Sequence, residues 1–397
     1  MNTSQAQTLG ELLQIEIASK GPIPFREFMA HALYHPDWGY YSSGHAAIGR
    51  AGDFYTSVSV GPLFGALIAR QVSEMWRLMG QPTEFNFVEQ GAHRGDFAHD
   101  LLRALQSQDP SCLSALRYTI VEPCTRQSGH QQQTLAEFSH VPMRWLERME
   151  DLQVFVGIHF SNELLDAFPV HRLVWNEQQW EEQYVTCEDG HFHFVNGPIS
   201  TPALADAMER LPSAPPNGYI CEMNLAAQQW ATAIAGKLQA GYVLAIDYGW
   251  ARAEYYRPER MEGTLSGYAH HQRVKDPLAD PGTVDLTAHV EFTSIAEAGE
   301  AAGLRLSGFT DQHHFMVGLS RLHFSDIEIN SPERDREIRA FKTLMHPTLL
   351  GQNFKVLCLE KAIHSPLTLA GLSFSRNSRE TLGLATSSAE ESPAIPG

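Results

Sequence analysis

One stretch, Phe85-Asn86-Phe87-Val88-Glu89-Gln90-Gly91-Ala92-His93-Arg94-Gly95, constrains the fold more than any other in the chain. Apolar residues alternate up to an acid, two glycines punctuate a turn, and Phe97, Ala98, Leu101 and Leu102 then recur at helical spacing. That is the pattern of strand, tight loop and helix. A strand turning sharply into a helix beside a ligand needs glycine, because a Cβ blocks a positive φ or the close approach of the backbone. Taken alone the pattern also describes an ordinary βα turn, since short glycine motifs are weakly specific.

The loop argues against a dinucleotide. A pyrophosphate site wants G-x-G-x-x-G at a helix N-terminus, whereas here three residues separate Gly91 from Gly95 and Glu89 stands just before the turn. A carboxylate in that place repels phosphates and suits a ligand carrying cations and hydroxyls. S-adenosylmethionine, with an ammonium, a sulfonium and a ribose diol, fits. Further on, Arg117-Tyr118-Thr119-Ile120-Val121 reads as a strand ending in Glu122. In a doubly wound sheet the acid at the end of the second strand, about 20 residues past the glycine loop, takes the ribose hydroxyls. Glu122 sits where that role demands; a solvated acid at a strand end is the alternative. A buried-type strand over 154–160 then runs into Ser161-Asn162-Glu163-Leu164-Leu165-Asp166. Polar groups just past the end of a central strand lie in the crevice where open α/β sheets bind ligands, so Asn162, Glu163 and Asp166 are candidates for the reacting end. Glu163 has an alternative reading as the cap of a following helix.

With 397 residues, 43% hydrophobic and 19% charged, the chain has a globular composition. Its net charge, 29 minus 46 or −17, excludes a general nucleic-acid-binding role, which depends on a basic surface. The cysteines Cys112, Cys124, Cys187, Cys221 and Cys358 form no C-x-x-C pair and read as free thiols of a reducing compartment. The pairs His270-His271 and His313-His314 lack companion ligands at diagnostic spacing, so no metal site is expected. The first residues have neither the charged nor the apolar region of a leader, and no run is long and apolar enough to span a bilayer. The expectation is a cytoplasmic protein.

The order of elements predicts an α/β fold. Residues 1–82 read as a helical, aromatic cap, in which Tyr34-His35-Pro36-Asp37-Trp38-Gly39-Tyr40-Tyr41 is either a lid over a pocket or an aromatic cover on the core. Residues 83–362 read as a doubly wound, mostly parallel sheet with an antiparallel β insertion near 170–215. The irregular segment 263–289, rich in potential ligand groups, reads as a binding loop. From 363 to 397 no periodicity survives, and a disordered tail is expected.

With these pieces in order, the chain resembles the MidA-like family of S-adenosylmethionine-dependent methyltransferases, whose mitochondrial members assist assembly of respiratory complex I. The likeness rests on Leu33-Tyr34-His35-Pro36 with Gly39-Tyr40-Tyr41, on Gly52-Asp53-Phe54 with Thr56-Ser57, and on Glu89-x-Gly91. It continues through Asn162-Glu163 with Asp166-Ala167-x-Pro169, Asp247-Tyr248-Gly249, and Asp280-Pro281-Gly282 to Asp285-Leu286-Thr287-Ala288-His289-Val290. It implies a class I methyltransferase fold that binds S-adenosylmethionine through Asp53, Glu89, Gly91, His93, Gly95, Glu122 and Asn162. It also implies a protein substrate methylated on arginine, with Glu163 and Asp166 as catalytic residues. A homodimer is left open. The family loop is usually E-x-G-x-G-x-G, and His93 replaces its middle glycine; either the backbone there stays at negative φ, or the cofactor lies differently. Two other readings stand beside this one: a methyltransferase for a small molecule, and an assembly chaperone that keeps the fold without turnover.

Overall fold

The computed structural model describes residues 6–43, 56–269, 272–324, 332–365 and 367–385. At its centre is an eight-stranded sheet whose main path runs Arg305–Asp311, Phe354–Lys361, Leu238–Trp250, Phe155–Asn162, Phe85–Gln90, Leu116–Val121, Met143–Leu146. All neighbours in that path pair in parallel except Phe354–Lys361, which is antiparallel to both strands beside it. The eighth strand, Val290–Glu291, pairs with the end of Leu238–Trp250. This is the doubly wound α/β sheet that the order of elements predicts, in the class I methyltransferase arrangement that the resemblance implies.

The chain starts the sheet at Phe85–Gln90, builds outward on one side, then returns to add Phe155–Asn162 on the other. The sheet order reverses at this join, where Phe85–Gln90 leads into the helix Asp96–Gln108 and Phe155–Asn162 into a loop, and a crevice opens beyond the strand ends. Register fixes what faces it: Glu89 lies opposite Phe160 and Gln90 opposite Ser161, so Gly91 and Asn162 both emerge at the top of the join.

Each face of the sheet carries its own apolar layer. Helices Leu63–Leu78, Asp96–Gln108 and Gln312–His323 cover one face, where Phe87, Phe97 and Phe160 form the centre of a cluster. The Phe97 and Phe160 rings are stacked at 4.4 Å. Leu225–Lys237 and Phe292–Ala301 cover the other face around Val88, Trp230, Val243 and Ile295. The helix Leu63–Leu78 thus belongs to the sheet's core, although it falls inside the stretch read from the sequence as the cap; its buried residues are those that the sheet and the helix Asp96–Gln108 require.

The cap helices Leu9–Lys20 and Phe25–Tyr34 pack on a second, five-stranded sheet made of Ile23–Pro24, Trp180–Glu188, His171–Trp175, Ile220–Met223 and the edge strand His191–Gly197. Phe25 and Phe28 meet Phe194 and Phe192 at 5.4 and 5.5 Å. Part of the segment read as an irregular binding loop is a third small sheet: Ser266–Ala269, Gln272–Arg273 and Asp285–Thr287.

The expected disordered tail is a correction. From Leu367 to Ala385 the chain is packed, with Leu369, Leu372 and Leu382 at most 2% exposed. The backbone amides of Ala370 and Gly371 donate to Glu74 Oε2 and Gln71 Oε1. Apolar anchors placed singly between short turns leave no periodic signal for composition to detect. Residues 386–397 lie outside the described residues.

Candidate active site

The glycine loop is left-handed at three points: Gly91 at φ 82°, His93 at φ 44° and Gly95 at φ 85°. The alternative in which His93 keeps a negative φ is therefore overturned; histidine is among the residues that enter this region more readily than most. Its conformation is braced from outside the loop. Gln131 Nε2 donates to the His93 carbonyl at 2.8 Å and to Glu122 Oε2 at 3.0 Å, while Gln131 Oε1 accepts from Trp145 Nε1 at 3.0 Å. Gly95 is also tightly packed, since a Cβ would stand 3.3 Å from Gln131 Cα and the helix carrying Gln131 would have to give by a few tenths of an ångström.

Both strand-end acids are buried. Glu89, 3% exposed, accepts the Tyr118 hydroxyl at 2.7 Å. Burial pushes its carboxyl up to about 7; the Tyr118 hydrogen bond opposes that rise, and the charge of Glu122 adds to it. Glu122, 8% exposed, accepts the Cys124 amide at 2.9 Å besides Gln131. Its proton affinity is raised by burial and held back by those two donors. The reading of Glu122 as a solvated acid is set aside by that burial.

At the end of the next strand the chain turns without forming a helix, so Glu163 has no helix to cap. Glu163 is half-buried, at φ 53°, and its carboxylate accepts Asn162 Nδ2 at 3.0 Å. Burial and the neighbouring Asp166 push it up to about 8, against the Asn162 bond and the Ser57 amide. Asp166 is 7% exposed and is raised by burial, with backbone amides opposing. Beneath them Asp247, 1% exposed, is raised by burial and by the charges of Asp166 and Glu163.

A cavity of about 300 Å³ joins these groups, with Thr56, Glu89, Gly91, His93, Asn162 and Glu163 in its wall. Glu122 and Asp166 are not in that wall: Glu122 stands behind the loop through Gln131, and Asp166 faces the tyrosines of the cap. Asp53 lies outside the described residues, as do His270 and His271. Asn162 Oδ1 is buried and has no hydrogen-bond partner among the described residues, an acceptor that a ligand ammonium would satisfy. The wall thus offers carboxylates, an orphaned amide oxygen and the left-handed Gly91, a set of acceptors and an open backbone that suits S-adenosylmethionine. A wider groove of about 670 Å³, between Leu225–Lys237 and Phe292–Ala301, contains none of the strand-end acids.

The sequence reading left several residues unassigned. Tyr34 donates to the Ala167 carbonyl at 2.9 Å, and Tyr41 to Asp285 Oδ1 at 2.8 Å. The two rings lie 5.6 Å apart. Both hydroxyls hold their protons more tightly through burial and through the charges of Asp285 and Asp166. The aromatic segment is therefore a wall of the crevice at these two positions and, at the buried Tyr40, a cover on the core. For Asp247 a usable signal existed, since its strand ends in an acid as that of Glu122 does.

Comparison with known proteins agrees with this geometry. The family model for S-adenosyl-L-methionine-dependent methyltransferases matches residues 67–310. A Burkholderia thailandensis protein whose crystal structure holds S-adenosyl-homocysteine superposes with a TM-score of 0.84 at 31% identity, covering 94% of this chain and 97% of that one. The human mitochondrial protein arginine methyltransferase NDUFAF7 is 27% identical, over 93% of this chain and 86% of its own. Its Drosophila melanogaster homolog is 28% identical, over 89% of this chain and 84% of its own.

Proposed function

Since the chain belongs to the family of S-adenosyl-L-methionine-dependent methyltransferases, we propose that it methylates a protein side chain and that this side chain is arginine. One observation carries the reading. Glu163, Asp166 and Asp247 act on one another and, with Asp285, on Tyr34, Tyr41 and Tyr248 at one strand end, and the groups that act most strongly on Glu163, Asp166 and Asp247 include no lysine, arginine or histidine. Carboxyls whose proton affinity is raised by burial and by each other gain most from an incoming cation. A guanidinium suits them, because it is planar, permanently charged and able to pair with a carboxylate through two nitrogens. The names of the mitochondrial relatives support the same acceptor.

In this reading Glu89, Gly91, His93, Gly95, Glu122 and Asn162 hold the cofactor, with Asp53 as a further candidate. When bound, S-adenosylmethionine supplies an electrophilic methyl group on its sulfonium. Glu163 orients the guanidinium and accepts the proton that the attacking nitrogen gives up. Asp166 keeps the crevice negative, and Tyr34 and Tyr41 bound it. Positioning dominates such chemistry, because the acceptor needs alignment more than activation.

The test is to incubate the purified protein with methyl-labelled S-adenosylmethionine and cell lysate. Label is expected in a protein band that releases methylarginine on hydrolysis. Label confined to the small-molecule fraction would overturn the protein acceptor. Glu163→Gln is expected to keep S-adenosylhomocysteine binding by calorimetry and to lose at least about 100-fold in rate, the usual scale of a proton-transfer group.

A further inference from the structure

We propose that Asp247 is a positioning residue for methyl transfer, whose carboxylate fixes the aim of Glu163 from beneath and keeps the acceptor crevice negative. The proposal rests on the reading of Glu163 as the group that meets the acceptor.

Three consecutive amides converge on one oxygen: Leu164, Leu165 and Asp166 donate to Asp247 Oδ2 at 3.1, 2.8 and 3.3 Å. The other oxygen, Oδ1, accepts the Tyr248 amide at 2.8 Å. Successive amides curled about an anion form a nest that binds negative charge tightly. Here the anion belongs to a strand some eighty residues away in sequence. The carbonyls of the same loop are tied separately, Leu165 by Asn224 Nδ2 at 3.0 Å, Asp166 by the Ala288 amide at 2.9 Å, and Ala167 by the Tyr34 hydroxyl at 2.9 Å. Glu163 itself donates its amide to the Ile246 carbonyl at 3.0 Å. The loop begins at Glu163 in a left-handed conformation that a glutamate does not favour. The amides held by Asp247 follow directly, so its anchor sets where the Glu163 side chain leaves the backbone.

A loop can be held by neutral acceptors. An acid in this place adds a further like charge beside Asp166 and Glu163, which burial makes worse. The groups that act on Glu163 or are acted on by it are Asp166, Asp285, Asp247 and Tyr248, with Asn162 Nδ2 and the Ser57 amide as donors, and Glu89, His93, Arg94, Asp96, His99 and Asp100 share the cavity wall with it. Asp247 therefore gathers the amide nest on one carboxylate oxygen, and as a neighbouring acid it interacts with Glu163, so that a charge on either raises the proton affinity of the other. Removing its charge is expected to make Glu163 a weaker base and to move the rising limb of the rate-pH profile to lower pH.

The experiment uses the full chain with total lysate protein as the acceptor pool and labelled S-adenosylmethionine as donor. Asp247→Asn is expected to bind S-adenosylhomocysteine within about threefold of the parent, to label protein at least about tenfold more slowly, and to show the pH limb displaced downward. Asp247→Glu keeps the charge but displaces the nest, so it is expected to lose rate with the limb unmoved. An unchanged rate and limb in Asp247→Asn overturns the proposal. So does a loss of cofactor affinity that parallels the loss of rate, which marks a merely structural role. If Asp247→Asn does not fold, Asp247→Glu decides: parent rate overturns the proposal, and slowed labelling with intact cofactor binding supports it. Glu163→Gln in the same assay separates the two levels. Full activity there sinks the reading of Glu163, whereas an inactive Glu163→Gln beside an unaffected Asp247→Asn sinks only this one.

Discussion

His159 makes a sharp prediction about acid stability. It lies on the central strand Phe155–Asn162, 0% exposed, with its ring 5.5 Å from that of Trp230 in an edge-on contact. Neither ring nitrogen has a hydrogen-bond partner among the described residues. Burial pushes the imidazole down to about 3, against about 6.5 in the unfolded chain. The folded-state pKa is depressed, so as pH falls the unfolded chain takes the proton first. The folded state keeps its full stability above about pH 6.5 and loses it progressively down to about pH 3. At about 1.36 kcal/mol per pKa unit, roughly 2 kcal/mol is lost by pH 5 and roughly 4 kcal/mol by pH 3. Glu89 and Glu163, raised to about 7 and about 8, act in the opposite sense and stabilise the fold as pH falls. The wild-type curve mixes these signs, and only a difference isolates the histidine. His159→Phe keeps a ring against Trp230 and removes the titration. Urea unfolding at pH 7 and pH 5 should show the variant gaining about 2 kcal/mol on the parent between the two. A gap that stays the same at both pH values would refute the reasoning, because it would mean that the imidazole finds a partner or water in the fold.

Three further substitutions probe the site and the tail. Gly95→Ala must hold a Cβ at φ 85° and 3.3 Å from Gln131 Cα; a loss of about 1–3 kcal/mol in urea unfolding is expected, together with weaker S-adenosylhomocysteine binding by calorimetry. Glu122→Ala removes an acid and frees the Gln131 that braces His93, so cofactor affinity should fall at least about tenfold, or about 1.4 kcal/mol, and parent affinity in the variant would remove Glu122 from the cofactor site. Leu372→Ala, at a position 1% exposed in the core of the sheet, should cost about 2–5 kcal/mol in the same unfolding assay; a cost near zero would mean that the tail does not pack as described.

What was legible in the sequence was what local chemistry dictates. The strand to Glu89, the glycines and the helix after Gly95 announce themselves because alternation, turn and helical spacing follow one another without a break. Glu122 was legible from its distance beyond the loop. The placement of Asp247 was only half legible: its strand ends in an acid, but the three amides it holds come from 164–166, and no short-range pattern records that pairing. The φ of His93 was illegible for the same reason, since Gln131 and Glu122 impose it from another part of the chain. Tyr34 and Tyr41 were visible as an aromatic cluster, yet their direction depends on Ala167 and Asp285. The helix Gln312–His323 escaped because its histidines and polar residues blur the apolar stripe that Phe315, Met316 and Leu319 complete only on folding.

The crevice also shows why its charge is balanced as it is. Glu163, Asp166 and Asp247 could have been neutralised by a basic side chain of the chain's own, which would stabilise the fold. Instead Asp247 is met by four backbone amides, Glu163 by an amide and Asn162, and Asp166 by backbone amides. Hydrogen-bond donors of this kind keep buried acids in place without cancelling their net charge. An internal arginine would occupy the bidentate geometry that an acceptor guanidinium needs. Leaving the negative field intact costs stability at neutral pH, and its sign is fixed by the raised proton affinity of Glu163. On the proposed function, the same field, focused by low-dielectric walls, would draw a cationic acceptor toward these strand ends. On this view the unfavourable electrostatics of the folded protein and its preference for a cationic acceptor have one physical origin.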